Sequence, residues 1–238
     1  MSNEIICEES ISNIISIGGE NLHKELEYLR EIHLEKLLLV EGSDEVNFFH
    51  ALVKNLSITG LEIRDYGGKN RLTNNLAALF LMRGFEKVNS LGIIRDSDKK
   101  GIKGSNSALQ SIQGILKKIK DDKDNEERFK DIPIPEENNK FSLGSLKLGI
   151  FIMNPMLEAL CLETVKGTTN MDCVNVFFNC LNEKNIIPNN KYKARVLAFL
   201  ATKEKTKNCL GIAAHEDYWD FQSQCMDNIK SFIKELTG

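Results

Sequence analysis

Two hydrophobic periods alternate along the chain. Four short segments, 36–40, 61–66, 88–95 and 146–153, have the length of strands. The first, third and fourth carry the dense apolar runs of buried strands, while 61–66, Leu-Glu-Ile-Arg-Asp-Tyr, is a strand candidate that mixes apolar and charged residues. Between them apolar residues recur every three or four positions. That spacing predicts helices over 71–82 and 105–120, and one through Leu56 that Asp44 is placed to cap. A further helix carrying Glu158 starts at Asn154-Pro155. Upstream, Leu22, Leu26, Leu29 and Ile32 predict an amphipathic helix over 20–33, preceded by a polar arm or short helix. From Asn170 onward only helices are expected, at 171–183, 191–202 and 224–236. Residues 121–140 are charged and polar, with Pro133 and Pro135, and read as a loop or linker.

Strand and helix in alternation call for a parallel sheet covered on both faces. The expected fold class is α/β, a Rossmann-like parallel sheet of about four strands flanked by helices, with a helical C-terminal extension. The expected organisation is an arm and helix over 1–35, an α/β domain over 36–165, and a helical extension over 166–238 packed on it. In such sheets functional residues collect at the carboxyl ends of the strands. Three of those ends are marked: Glu41-Gly42, Gly67-Gly68-Lys69 and Asp96-Ser97-Asp98.

Composition narrows this picture. With 238 residues, 42% hydrophobic and 27% charged, the chain has the makeup of a folded globular protein. A net charge of −3 gives no global basic field, so any nucleic-acid contact must be local. The start, MSNEIICEES, carries acids where a secretory leader needs a basic and then an apolar stretch, which points to a cytoplasmic protein. Of the six cysteines none forms a Cys-x-x-Cys pair, so free buried thiols are expected. Cys173 and Cys180, two helical turns apart, read as part of a core stripe. The four histidines stand apart in sequence, and His50 reads as a packing or surface residue. There is no Walker loop, no dinucleotide-binding glycine fingerprint and no His-Glu-x-x-His.

The chemistry concentrates at the strand ends. Asp96 and Asp98 sit one residue apart after a buried run, where two carboxylates repel each other and a divalent cation would offset the charge. Mg²⁺ and Mn²⁺ favour such hard oxygen donors, and phosphate oxygens supply further ligands. Glu41, at the end of another strand, is placed to complete the metal site or to act as general acid or base. Lys69 and Arg71 follow Gly67-Gly68, where charge and backbone N–H groups suit a phosphate. Lys99, Lys100 and Lys103 flank the acidic pair and suit an incoming polyanion. Each feature alone has a plainer origin, as a cap, a turn or a solvated loop. Their order along successive strands is what singles them out.

LLLVEGSDEVNFF followed by LGIIRDSDKKG resembles the Toprim domain of topoisomerases, primases, RNA-maturing nucleases and OLD-type nucleases. That domain has Glu-Gly after its first strand and Asp-x-Asp, often Asp-x-Asp-x-x-Gly, after its third; here these are Glu41-Gly42 and Asp96 to Gly101. A wider likeness, through YGGKNRL, IFIMNPMLEALCLE and KARVLAFLATKEKTKNCLGIAA, links most of the chain to small stand-alone Toprim-like proteins. The resemblance implies a Toprim-type sheet, Glu41 as general acid/base, Asp96 and Asp98 as Mg²⁺ ligands, and Glu158 joining the metal site. It also matches Asp44 and Glu45 to acidic positions near the first motif.

The topoisomerase branch needs a reactive tyrosine, and none of the four tyrosines sits in such a context. The primase branch needs template-binding modules for which the chain lacks room. The expectation is therefore a Mg²⁺-dependent nuclease acting on DNA or RNA. The alternative is a non-catalytic module that binds nucleic acid or a protein partner, with Trp219, Phe221 and the stripe Ile229, Phe232, Ile233 and Leu236 as core or as a partner surface. A phosphatase of the haloacid-dehalogenase type carries its acid pair after the first strand, where this chain has Glu41-Gly42, and a nucleotide-sugar transferase leaves Glu41-Gly42 unexplained.

Overall fold

The computed structural model describes residues 31–68, 71–97, 101–121 and 130–238. The four expected strands are β1 (Lys36–Val40), β2 (Leu61–Asp65), β3 (Ser90–Asp96) and β5 (Lys147–Met153). A fifth, β4 (Lys140–Leu143), lies at the edge of the stretch expected to be a linker. The sheet order is β2-β1-β3-β5-β4, parallel throughout except where β4 runs antiparallel to β5. The helices described are α1 (Ser43–Asn55), α2 (Leu72–Phe80), α3 (Ile102–Asp121), α4 (Leu157–Thr164), α5 (Thr169–Glu183), α6 (Lys191–Ala201), α7 (Leu210–His215) and α8 (Asp227–Thr237). The predicted helix over 20–33 falls largely outside the described residues. Its last residues are extended, with Glu31 bridging Arg83.

The pleat divides the core in two. Leu37 and Leu39 of β1 join a cluster with Leu76, Phe80, Ile112 and Leu116, so α2 and α3 cover one face. Leu38 and Val40 join Phe48, Leu52, Phe199 and Phe232, so α1 and the C-terminal helices cover the other. Successive side chains of a strand point to opposite faces, which is why β1 is a solid apolar run and not an alternating one. The segment read as a linker contributes to this packing: Ile132 is fully buried, and Gln113 Nε2 on α3 donates to Pro135 O at 2.7 Å.

The C-terminal stripe of α8 lies on the sheet. A Cβ on Gly92 of β3 would come within 2.9 Å of Leu236 and 3.2 Å of Phe232, so a bare glycine backbone is what lets α8 approach. Ser90 Oγ donates to Leu236 O at 2.8 Å, and Phe232 stacks on Phe141 with ring centroids 4.9 Å apart. Trp219 is equally buried, stacked on Phe199 at 5.4 Å, so these aromatics are core and not a partner surface. The cysteines differ from expectation. Cys161 is buried, Cys209 and Cys225 are half-buried, and Cys173 and Cys180 are exposed on the outer side of α5. No helix among the described residues is long and apolar enough to cross a membrane.

Candidate functional site at the acidic end of the sheet

The parallel register brings the ends of β1, β2, β3 and β5 to one edge: Val40 pairs with Asp65, and Asp96 with Met153. Glu41 follows Val40 directly. Its carbonyl accepts from Gly68 N at 2.8 Å, so the Gly67-Gly68 turn is held against the first motif. Both glycines have positive φ, 69° and 86°, a backbone shape that side chains rarely adopt. Asn75 Nδ2 donates to Tyr66 O at 2.7 Å and pins the turn to α2. Arg71 closes the turn, exposed, its N–H donating to Gly68 O at 2.9 Å.

Asp96 ends β3, and the chain beyond it is tied to the β5–α4 turn on both sides. Ser97 is buried; its N–H donates to Met153 O at 2.9 Å and Pro155 O at 3.0 Å. Gly101, at φ 89°, donates its N–H to Asn154 Oδ1 at 3.0 Å. This strapping fixes the second motif to the start of α4, whose first turn carries Glu158. Asp98, Lys99, Lys100 and Lys69 lie outside the described residues.

Gly42 is the N-cap of α1, in extended backbone with no side-chain capping bond. Asp44 does not cap α1, as the sequence had implied. Its carboxylate accepts from Leu210 N at 3.2 Å and from Gly211 N, capping α7 instead. A Cβ on Gly211 would run into the Asp44 carbonyl, so only glycine permits this approach. Asp44 is thus a structural acid at the rim of the cluster.

Glu45, one residue on, lies deeper. Burial pushes its carboxyl up from 4.5 to about 7, and the charges of Asp44, Glu158 and Glu41 push the same way. A hydrogen bond to its own backbone opposes them. Tyr66 sits below the same edge, 2% exposed, its hydroxyl donating to Ile94 O at 3.3 Å. Burial raises its pKa far above the ordinary value; Glu41, Asp96 and Glu45 add to the rise and Arg95 opposes it. The Cys161 thiol is likewise held protonated by burial, with Glu158, Asp44 and Asp96 among the nearby charges. Glu41, Glu45, Asp96 and Glu158 therefore share one electrostatic neighbourhood. Among the described residues no three His, Cys, Asp or Glu side chains close on a common point as a ready-made ion cage. The donor chemistry, carboxylate oxygen throughout, fits a hard divalent cation.

Sequence reasoning missed one neighbour of this edge, Tyr66, and the approach of two histidines to each other. Tyr66 was read only as the end of a strand. His50 on α1 and His215 on α7 are far apart in sequence, yet the charge of His215 reaches His50. Burial lowers both pKa values, His215 lowers that of His50 further, and Lys54 lowers that of His215, opposed by a hydrogen bond at the Asn47 backbone. Neither histidine carried a sequence signal for this.

The fold and its acidic edge define an α/β protein with a mostly parallel, Rossmann-like sheet. A family model described as "Protein of unknown function (DUF3226)" matches residues 35–238, and the chain belongs to that family. A comparison with curated proteins finds no match. Among solved structures, the C-terminal region of the Xanthomonas campestris pv. campestris OLD protein is similar at 15% identity, over 85% of this chain and 86% of that one, with a TM-score of 0.36.

Proposed function

We propose that the acidic end of the sheet is a Mg²⁺- or Mn²⁺-dependent site that handles phosphodiesters, and that the protein is a nuclease acting on DNA or RNA. One observation carries the reading: the parallel register puts the strand ends that carry Glu41 and Asp96 on one edge with the helix start that carries Glu158, and the charges of Glu158 and Glu41 reach Glu45, whose carboxyl is raised to about 7 chiefly by burial. Carboxylates crowded this way repel one another, and a divalent cation offsets that repulsion. The Toprim-like motifs at the same strand ends support it. Asp96, Asp98 and Glu158 would hold the ion, with Glu45 beside them. When bound, such an ion polarises a scissile phosphate and lowers the pKa of bound water. Glu41 takes up or returns the proton. Arg71, with Lys69, Lys99 and Lys100, meets the phosphate backbone. Gly42, Gly67, Gly68 and Gly101 shape the turns that allow the approach.

The alternative reading is a non-catalytic Toprim-like module that binds nucleic acid or a protein partner. The two separate in one experiment. Mg²⁺ and Mn²⁺ are titrated calorimetrically into wild type and Asp96→Ala/Asp98→Ala, with cleavage of mixed DNA and RNA followed in the same buffers. The nuclease reading expects binding with proton release near pH 6.5, as Glu45 ionises, and cleavage lost by at least about 100-fold in the variant. Nucleic-acid binding without metal uptake or cleavage would establish the second reading.

A further inference from the structure

Helix α5 has two apolar faces. The inner one, Met171, Val174 and Phe178, is buried in the core. The outer one is Cys173, Val176, Phe177 and Cys180, all exposed, with Val176 at 69% and Phe177 at 52%. At 100° per residue these four span about 100° of the helix, and their centre is turned about 140° from the buried face. A helix on a protein surface needs a single apolar stripe. A second one belongs to a helix covered on two sides. Asp172, Asn175, Asn179 and Asn182 line the outer face along one flank.

The outer face also has a symmetry. Along the helix it reads Cys-x-x-Val-Phe-x-x-Cys, nearly the same in either direction. A two-fold interface must be self-complementary, with residue i meeting j and j meeting i. An antiparallel pairing centred between Val176 and Phe177 sets Cys173 opposite the partner's Cys180, and Cys180 opposite the partner's Cys173. Charge agrees with this arrangement. The exposed Asp172 in the first turn comes within a helical turn of the partner's Lys184 at the far C-cap, and the helix dipoles run antiparallel. We propose that α5 is the two-fold interface of a homodimer, the occupant of this face being a second copy of the chain. A contact about one heptad long lies at the small end of specific interfaces, so the dimer dissociates in the micromolar range.

Sedimentation velocity on the full chain over about 1–300 µM is expected to show a reversible monomer–dimer equilibrium. Phe177→Glu should weaken it at least about tenfold while leaving the circular dichroism spectrum and melting temperature near wild type, because the ring is half exposed. Geometry is tested by cross-linking in a Cys7→Ser/Cys209→Ser/Cys225→Ser background. Diamide takes two electrons and two protons from a pair of thiols, forming the disulfide and leaving the hydrazine. In the antiparallel dimer two copies of Cys180 lie about 10 Å apart along the axis, beyond disulfide reach. Cys173→Ser alone and Cys180→Ser alone should therefore give no covalent dimer, and a mixture of the two should. A monomer at every concentration, a Phe177→Glu protein that dimerises like wild type, or a single variant that cross-links as well as the mixture would each overturn the proposal.

Discussion

Glu45 concentrates the electrostatics of the site in one titration. Its folded-state pKa of about 7 lies above the ordinary 4.5. The folded protein therefore holds the Glu45 proton more tightly than the unfolded chain does. The associated stability is full below about pH 4.5, falls as pH rises toward 7, and is absent above that. Across that window the loss is about 3 kcal/mol at most. Glu45→Gln keeps the hydrogen-bonding shape and removes the charge. It is expected to be about 2–3 kcal/mol more stable than wild type at pH 8 and nearly equal to it at pH 4.5, measured by urea unfolding at both. An offset of the same size at both pH values would show that Glu45 does not carry the burden. Arg71 makes a contrasting case, because it is exposed. Its replacement by alanine should leave stability within about 0.5 kcal/mol and weaken nucleic-acid binding with a reduced salt slope, read by binding titrations across a series of salt concentrations.

At the level of elements, α7 depends on a residue far from it in sequence. Its N-terminal N–H groups at Leu210 and Gly211 are satisfied by Asp44, 166 and 167 residues away. Asp44→Ala should cost about 1–2 kcal/mol, and Asp44→Asn, which keeps an acceptor, less. Trp219 reports the change, since its Nε1–H donates to Leu210 O at 3.0 Å and it is the single tryptophan. A red-shifted emission or an earlier unfolding midpoint in the alanine variant is the expected signal. This contact also shows what a linear reading can and cannot reach. Strands β1, β3 and β5 were legible as dense apolar runs, and the ends of β1, β2 and β3 as Glu-Gly, Gly-Gly and Asp-x-Asp. The ends of parallel strands share an edge, so the candidate site was legible with them. Asp44 looked like a local cap because nothing local reveals a partner on the other side of the chain. Strand β4, Lys-Phe-Ser-Leu, is four residues long and exposed at both ends, too short to show a period. Helix α7 begins at Leu-Gly and has only six residues. The outer face of α5 was taken for core because apolar residues at helical spacing look the same whether they face inward or outward.

At the scale of the whole molecule, the question is whether the α/β part stands without the helices that follow it. The packing says it does not. Ile229, Phe232, Ile233 and Leu236 of α8 are each no more than 1% exposed, in the same cluster as Leu38 and Val40 of β1. They cover β3 and β5 at Gly92, whose bare backbone leaves room for Leu236 and Phe232 beside Leu38 of β1. Losing four fully buried large side chains removes about 6–12 kcal/mol of burial, at about 1.5–3 kcal/mol each. The whole stability of a domain this size is about 5–15 kcal/mol. A chain ending at Met226 is therefore expected to lose the cooperative unfolding of the entire protein, the strand-end acids included. Circular dichroism, amide exchange of β1 and β3, and Mg²⁺ titration on the truncated chain would check this. Full protection of β1 and β3 there would show that the sheet is stabilised by α2 and α3 alone. Their loss would mean that the acidic edge is held in place by a helix at the opposite end of the sequence. On that result, substitutions at Phe232 or Gly92 would disturb the acidic edge through stability, without touching it.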